Sequence, residues 1–339
     1  MLNNIGIIGE GKMGTNLLYY LLDMDFSLTW ICSADADLEK LRKNFRKRLS
    51  RSLEAGIIDE NRFQSILEHV KITNTVQDVA TCDLIIEAIS EDQEAKQQLF
   101  RVLDRIAPPK CIFTSNSSSI HPSVLVPSVN RKEKFAGLHF FYPIALKDIV
   151  EVIPTPGTSD ETLKQITSFL ERIRRRFLLL QEKDSFILNR IFLEFQNEAF
   201  LLVKEKKASQ QQIDRIVQEK FFPTGVFEFF DSVGLDVMLA SVRNYAKDDP
   251  KGERYHPLII SLQELVSAGR LGTKTKCGFY EEGISYDPGY PENDAGIIAK
   301  LQATYENAFR RFCQSSGIPP AELKNAMDEY FGVETPFVI

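Results

Sequence analysis

Residues 5–14 read Ile-Gly-Ile-Ile-Gly-Glu-Gly-Lys-Met-Gly, an apolar run that passes into a Gly-x-Gly-x-x-Gly loop, and a stretch rich in Leu and Tyr follows. Strand, loop and helix in this order are the context of a dinucleotide-binding turn. Gly9 allows the tight turn, Gly11 lets a pyrophosphate approach the backbone, and Gly14 lets the helix pack against the strand. The helix start, at Lys12 and Met13, offers N–H donors and a partial positive charge to the phosphates.

Outward from this loop, short β-rich runs alternate with charged helical stretches as far as about residue 180. The expected strands are Ile5–Ile8, Leu28–Cys32, Leu84–Ile89, Ile112–Thr114, Phe135–Phe140, Ile149–Ile153 and Phe177–Leu180. Their continuous apolar character suits strands buried on both faces of a parallel sheet covered by helices. Thr158 and Glu161 have capping-box spacing and predict a helix start there. From about residue 186 helical periodicity replaces the β-rich runs, which puts a domain boundary near Asp184. An acid at the end of the second strand ordinarily binds the ribose hydroxyls of the dinucleotide. Here Cys32-Ser33 holds that place, with Asp35 and Asp37 just beyond. No arginine for a 2′-phosphate follows directly, so NAD is the expected cofactor, and the missing acid leaves NADP open.

Composition removes other classes. With 339 residues the chain has room for about two domains. Its 41 basic against 47 acidic residues give a net charge of −6, without the basic footprint of a nucleic-acid binder. Five scattered cysteines point to neither a disulfide framework nor a metal site. No apolar run reaches the ~20 residues of a membrane span. A cytoplasmic, soluble protein with no membrane or nucleic-acid partner is expected.

Several further stretches, in order, resemble the 3-hydroxyacyl-CoA dehydrogenase family. They are GEGKMG from Gly9, DLIIEAISEDQEAKQQLF from Asp83, SNSSSI from Ser115, FAGLHFFYP from Phe135, IVEVI from Ile149, FILNR from Phe186, PTGVFEFFDSVGLD from Pro223 and LGTKTKCGFY from Leu271. The resemblance implies a Rossmann-type α/β NAD-binding domain over residues 1–184, then an all-α substrate and dimerisation domain over 185–282. It also implies a homodimer through the helical domain, an acyl-CoA substrate, and a place in fatty acid β-oxidation. His139 would be the general base, since an imidazole titrates near working pH. Glu151 would orient His139, Ser118 would hydrogen-bond the oxygen at C3, and Asn189 would hold the substrate. Glu91 and Lys96 match positions beside the nicotinamide ribose, with Ala88 on the strand leading to them. The bland alternative for that pair is a solvated first helical turn. Asn116 would contact the cofactor or cap its turn. His69, His121 and His256 have no such context and read as surface or structural.

The chain also departs from the family. Tyr142 stands where the family usually has Asn, Glu182–Phe186 lacks the usual Pro-Gly turn, and Gly225-Val226 replaces Gly-Pro. A tail of 59 residues follows Tyr280. Within it, Glu306–Phe337 echoes the stretch from Asn197 to Phe227, so residues 283–339 read as a helical extension resembling a partial second repeat. The helix from Lys40 to Arg51 carries Lys43, Arg46, Lys47, Arg48 and Arg51, either as a solvated face or as an attractor of CoA phosphates. The expected reaction is NAD-dependent interconversion of an (S)-3-hydroxyacyl thioester and its 3-oxoacyl form, without a metal. Its rivals are a carrier-bound or CoA-free 3-hydroxy acid as substrate, and a non-catalytic nucleotide-binding protein.

Overall fold

The apolar run at the N-terminus forms β1 (Asn4–Ile8), fully sequestered at Ile5 and Ile7, and Gly11 caps the entry into α1 (Lys12–Leu21). The computed structural model describes residues 2–282 and 294–335. The remaining strands are β2 (Ser27–Ile31), β3 (Val70–Thr73), β4 (Leu84–Glu87), β5 (Ile112–Ser115), β6 (Phe135–Phe140), β7 (Ile149–Pro154) and β8 (Arg176–Leu179). They form one eight-stranded sheet in the order β3-β2-β1-β4-β5-β6-β7-β8. The first six strands run parallel, and the order reverses between β1 and β4. This is the doubly wound arrangement, which opens a ligand crevice at the carboxyl ends of those two strands.

Three expectations change. The sheet is mixed, because β7 runs antiparallel to β6 and β8 parallel to β7. The chain between β6 and β7 is too short for the crossover that a parallel return needs. Strand β3 went unseen because it is a short edge strand with exposed Lys71 at its centre, so no apolar run marks it. The N-cap of the helix after β7 is Ser159, which accepts from the Thr162 N–H, and not Thr158. Thr158 Oγ1 is engaged elsewhere, accepting from the Thr155 N–H at 2.8 Å and donating to the Phe135 carbonyl at 2.6 Å.

The helices of this part are α2 (Leu38–Glu54), α3 (Glu60–His69), α4 (Gln93–Ile106), the single turn α5 (Pro122–Leu125) and α6 (Asp160–Arg172). Leu17, Leu18, Trp30, Phe45, Phe169 and Leu170 belong to one core, and Val79, Phe100, Leu103, Phe113 and Phe135 to a second.

The chain divides into two compact units, Met1–Ser185 and Phe186–Ile339. The second holds α7 (Ile187–Lys204), α8 (Gln210–Lys220), α9 (Val226–Val233), α10 (Leu235–Asp248), α11 (His256–Ser267), α12 (Asp294–Ser316) and α13 (Pro320–Phe331). Helix α12 packs along α7 and α8, and α13 packs on α7 and α12. The two stretches of the repeat are thus both helical hairpins, and Phe200 to Phe222 spans the same length as Phe309 to Phe331. The corresponding Phe222 and Phe331 stack on each other, with centroids 3.8 Å apart and planes at 21°. The end of the echo, at Phe337, lies outside the described residues, as do residues 283–293. No described helix is long and apolar enough to cross a membrane.

Candidate active site

The loop at the end of β1 is built around its glycines. Gly9 has φ +114°, and a Cβ there would lie 2.4 Å from the Ala88 carbonyl oxygen. A Cβ on Gly14 would lie 2.0 Å from the Gly9 carbonyl oxygen, so helix and strand approach as only glycine permits. A Cβ on Gly11 would meet nothing within 4 Å, which leaves its face open to a ligand. The buried Trp30 indole N–H donates to the Gly9 carbonyl at 2.9 Å and fixes the loop from β2. Asp37, Asp59 and Asp92 cap α2, α3 and α4 through their side chains, whereas α1 has no side-chain cap and no acid in its first turn. An uncapped helix start beside an open glycine suits the pyrophosphate of a dinucleotide. Lys12 is exposed there, and the Met13 side chain packs partly into the core.

At the neighbouring strand end, Lys96 on the first turn of α4 is buried at 1% exposure. Its Nζ lies 2.6 Å from Glu87 Oε1 and 3.5 Å from Glu91 Oε2. Burial works against the lysine charge, but Glu87 and Glu91 outweigh it and hold its pKa above the usual value. Burial likewise opposes ionised Glu91, yet Lys96 and the serines keep that carboxyl below its usual range. Glu91 Oε1 accepts from Ser117 Oγ at 2.5 Å, the Ser118 N–H at 3.1 Å, the Ser119 N–H at 3.0 Å and Ser119 Oγ at 2.8 Å. The serine loop therefore winds around one carboxylate. The solvated helical turn weighed for Glu91 and Lys96 is not what the structure contains. Removing one partner of such a buried pair typically costs about 3–5 kcal/mol.

The sequence reading missed Glu87. It ends β4 at 0% exposure, its Oε1 also accepting from the Ile89 N–H at 2.8 Å and its Oε2 from Ser115 Oγ at 2.5 Å. An acid closing an apolar strand nine residues before a helical lysine was the available signal.

His139 and Glu151 are direct partners across the antiparallel β6–β7 pair. His139 Nδ1 lies 2.7 Å from Glu151 Oε2, with the residues 4% and 0% exposed. A carboxylate can only accept, so Nδ1 carries the proton and the basic lone pair sits on Nε2. Phe141 packs on the imidazole, with ring centroids 4.3 Å apart. Asn116 joins the serine loop to this strand: its Oδ1 accepts from the Phe140 N–H at 2.8 Å, and its own N–H donates to the Glu87 carbonyl at 2.8 Å. One hydrogen-bonded path thus runs from the loop carrying Ser118 to the strand carrying His139. Ala88 donates its N–H to the Ile8 carbonyl at 2.8 Å, and its carbonyl faces Gly9. Asn189 lies in the other unit, on the first turn of α7, where its Nδ2 donates to Tyr245 Oη at 3.2 Å.

At the end of β2, Cys32 is buried, and burial together with the Glu10 carboxylate pushes its thiol up to about 12. A neutral, sequestered thiol presents no anion to a ribose; Ser33 is exposed. On α2, Lys43, Arg46, Lys47 and Arg51 are exposed, and the Arg48 guanidinium lies 3.8 Å from the Tyr19 ring centroid. Among the described residues no cluster of His, Cys, Asp and Glu could hold a metal ion.

Residues 4–183 match the family described as 3-hydroxyacyl-CoA dehydrogenase, NAD binding domain, and residues 186–282 match its C-terminal domain. A probable 3-hydroxybutyryl-CoA dehydrogenase of Bacillus subtilis is 30% identical over 281 residues, covering 83% of this chain and 97% of the relative. The crystal structure of (S)-3-hydroxybutyryl-CoA dehydrogenase from Ralstonia eutropha is 28% identical with a TM-score of 0.73, over 84% of this chain and 100% of that one. The dehydrogenase part of a multifunctional enzyme from C. elegans, at 23% identity and a TM-score of 0.59, shares the fold over 98% of this chain and 79% of that one.

Proposed function

The chain belongs to the 3-hydroxyacyl-CoA dehydrogenase family of NAD-dependent oxidoreductases, and on that premise we propose that it interconverts (S)-3-hydroxyacyl-CoA and 3-oxoacyl-CoA with His139 as general base. The observation that carries this reading is the buried His139–Glu151 hydrogen bond, made by facing residues of paired strands. Bound NAD supplies the acceptor for the hydride that leaves C3. In oxidation, His139 Nε2 takes the proton of the 3-hydroxyl while the C3–O bond becomes a carbonyl. Glu151 holds the imidazole in the tautomer this requires and stabilises the imidazolium that forms. Ser118 hydrogen-bonds the oxygen at C3, Asn189 holds the substrate, and Asn116, Glu91 and Lys96 order the cofactor side.

This reading makes the chain a step of fatty acid β-oxidation in the cytoplasm. The homodimer through the helical unit belongs to the same proposal, on surfaces other than the α7 face that α12 and α13 cover. The exposed cations of α2 supply attraction for the CoA phosphates.

The test is NADH consumption with acetoacetyl-CoA, a longer 3-oxoacyl-CoA, and the same acyl groups on pantetheine. Turnover is expected with both CoA thioesters, with a several-fold higher KM for the pantetheine forms. Reversing the charges of Arg48 and Arg51 raises KM for CoA substrates and leaves kcat in place. Equal KM values for CoA and pantetheine thioesters would move the substrate to a carrier-bound or CoA-free acid. Nucleotide binding without any turnover would favour a non-catalytic protein.

A further inference from the structure

The second strand of a dinucleotide site ordinarily ends in an acid that binds the ribose hydroxyls. Here β2 runs into Cys32, whose side chain is buried, and Ser33, whose side chain is exposed and neutral. A carboxylate nevertheless occupies that place. Glu10 sits between Gly9 and Gly11 in the loop after β1, and its side chain crosses to the end of β2. Its Oε2 accepts from the Ser33 N–H at 3.0 Å, and its Oε1 accepts from Ser33 Oγ at 2.5 Å. Two donors on one residue fix both oxygens of the carboxylate. The loop itself is held by the Trp30 indole on the Gly9 carbonyl, and by Thr15 Oγ1, which donates to the Glu10 carbonyl at 3.0 Å.

We propose that Glu10 is the ribose-binding acid of this chain, transposed from the end of the second strand into the glycine loop, and that it selects NAD over NADP. The proposal rests on the dinucleotide reading of the site. The chemistry is that of a diol against a phosphate. The vicinal 2′- and 3′-hydroxyls of NAD are donors, and a carboxylate is an acceptor only. A 2′-phosphate brings further negative charge against the same group, and like charges at such distances repel. A phosphate site there would need an arginine with its charge available. Arg42, the arginine on the first turns of α2, donates to Glu39 Oε1 at 3.1 Å and to the Ile72 carbonyl at 2.9 Å, contacts that turn part of its guanidinium away from Ser33 towards β3. The lost acid at the strand end and the acid gained inside the glycine loop thus compensate each other.

Calorimetric titration of the full chain with ADP-ribose and with its 2′-phosphorylated form tests this without turnover. The wild type is expected to bind ADP-ribose and to discriminate against the 2′-phosphate. Glu10→Gln, which keeps size and removes charge, weakens ADP-ribose binding roughly 10- to 100-fold, the range of a lost hydrogen bond to a charged group. The same substitution narrows or reverses the discrimination. Ser33→Ala leaves the carboxylate its backbone tie and moves both quantities less, in the same direction. Thermal unfolding matched to wild type confirms that each variant is folded. An unchanged affinity ratio in folded Glu10→Gln overturns the role of Glu10 and leaves the dinucleotide site standing. A wild-type chain that binds neither probe overturns both.

Discussion

Replacing His139 by Gln is expected to lower kcat roughly 10²- to 10⁴-fold, the contribution of a positioned proton-transfer group. The amide still donates towards Glu151 but has no lone pair that accepts a proton at neutral pH. KM for the thioester and affinity for NAD should move little, because the cofactor loop is fixed by Trp30 and the glycines and not by the imidazole. Glu151→Gln removes the charge that stabilises the imidazolium and adds an amide donor that can turn Nδ1 into an acceptor, and it should give a smaller loss. The double variant should be no slower than His139→Gln alone, since groups acting as a unit are non-additive. Single-turnover rates for the four proteins, with a thermal melt of each, check this. A His139→Gln protein within a few-fold of wild type would remove the imidazole from the chemistry.

Ending the chain after Glu282 should abolish cooperative unfolding of the helical unit. Helix α12 buries Ile297, Leu301, Tyr305, Ala308, Phe309, Phe312 and Cys313, and α13 buries Leu323, Ala326 and Met327. Each large apolar side chain contributes about 1.5–3 kcal/mol on burial. Their sum reaches the whole stability of a domain, about 5–15 kcal/mol. The cut would also bare Phe192, Phe195 and Phe222, which now pack against Tyr305, Tyr330 and Phe331. Contiguous apolar surface of that kind drives self-association. Sedimentation velocity and calorimetry of the truncated chain should therefore find aggregates or a melted helical unit beside an intact first unit. A truncated protein with the wild-type transition would show that the extension is an appendage.

What could be read from the sequence was local. The glycine loop, the buried strands and the switch from β-rich to helical sequence each declare themselves within about ten residues, because burial on both faces and φ > 0 impose composition directly. Pairings between distant elements do not. Glu87 and Lys96 read separately as a strand end and a helical turn, and only the packing of α4 against β4 makes them a buried ion pair. Glu10 reads as the variable position of a Gly-x-Gly motif until β2 brings Ser33 beneath it. Edge strand β3 and the reversal at β7 escaped because one lacks an apolar run and the other depends on connection length.

The reaction proposed for this chain moves a hydride between the nicotinamide and the third carbon of an acyl thioester. Reduction of acetoacetyl-CoA by NADH with both hydrogens at C4 of the nicotinamide replaced by deuterium, with the product read by mass spectrometry and NMR, tests it most directly. One deuterium at C3 of 3-hydroxybutyryl-CoA, in the (S) configuration and formed roughly 10²- to 10⁴-fold more slowly with His139→Gln, is the predicted result. A product without label at C3, or NADH that is never consumed with any 3-oxoacyl thioester, would contradict it.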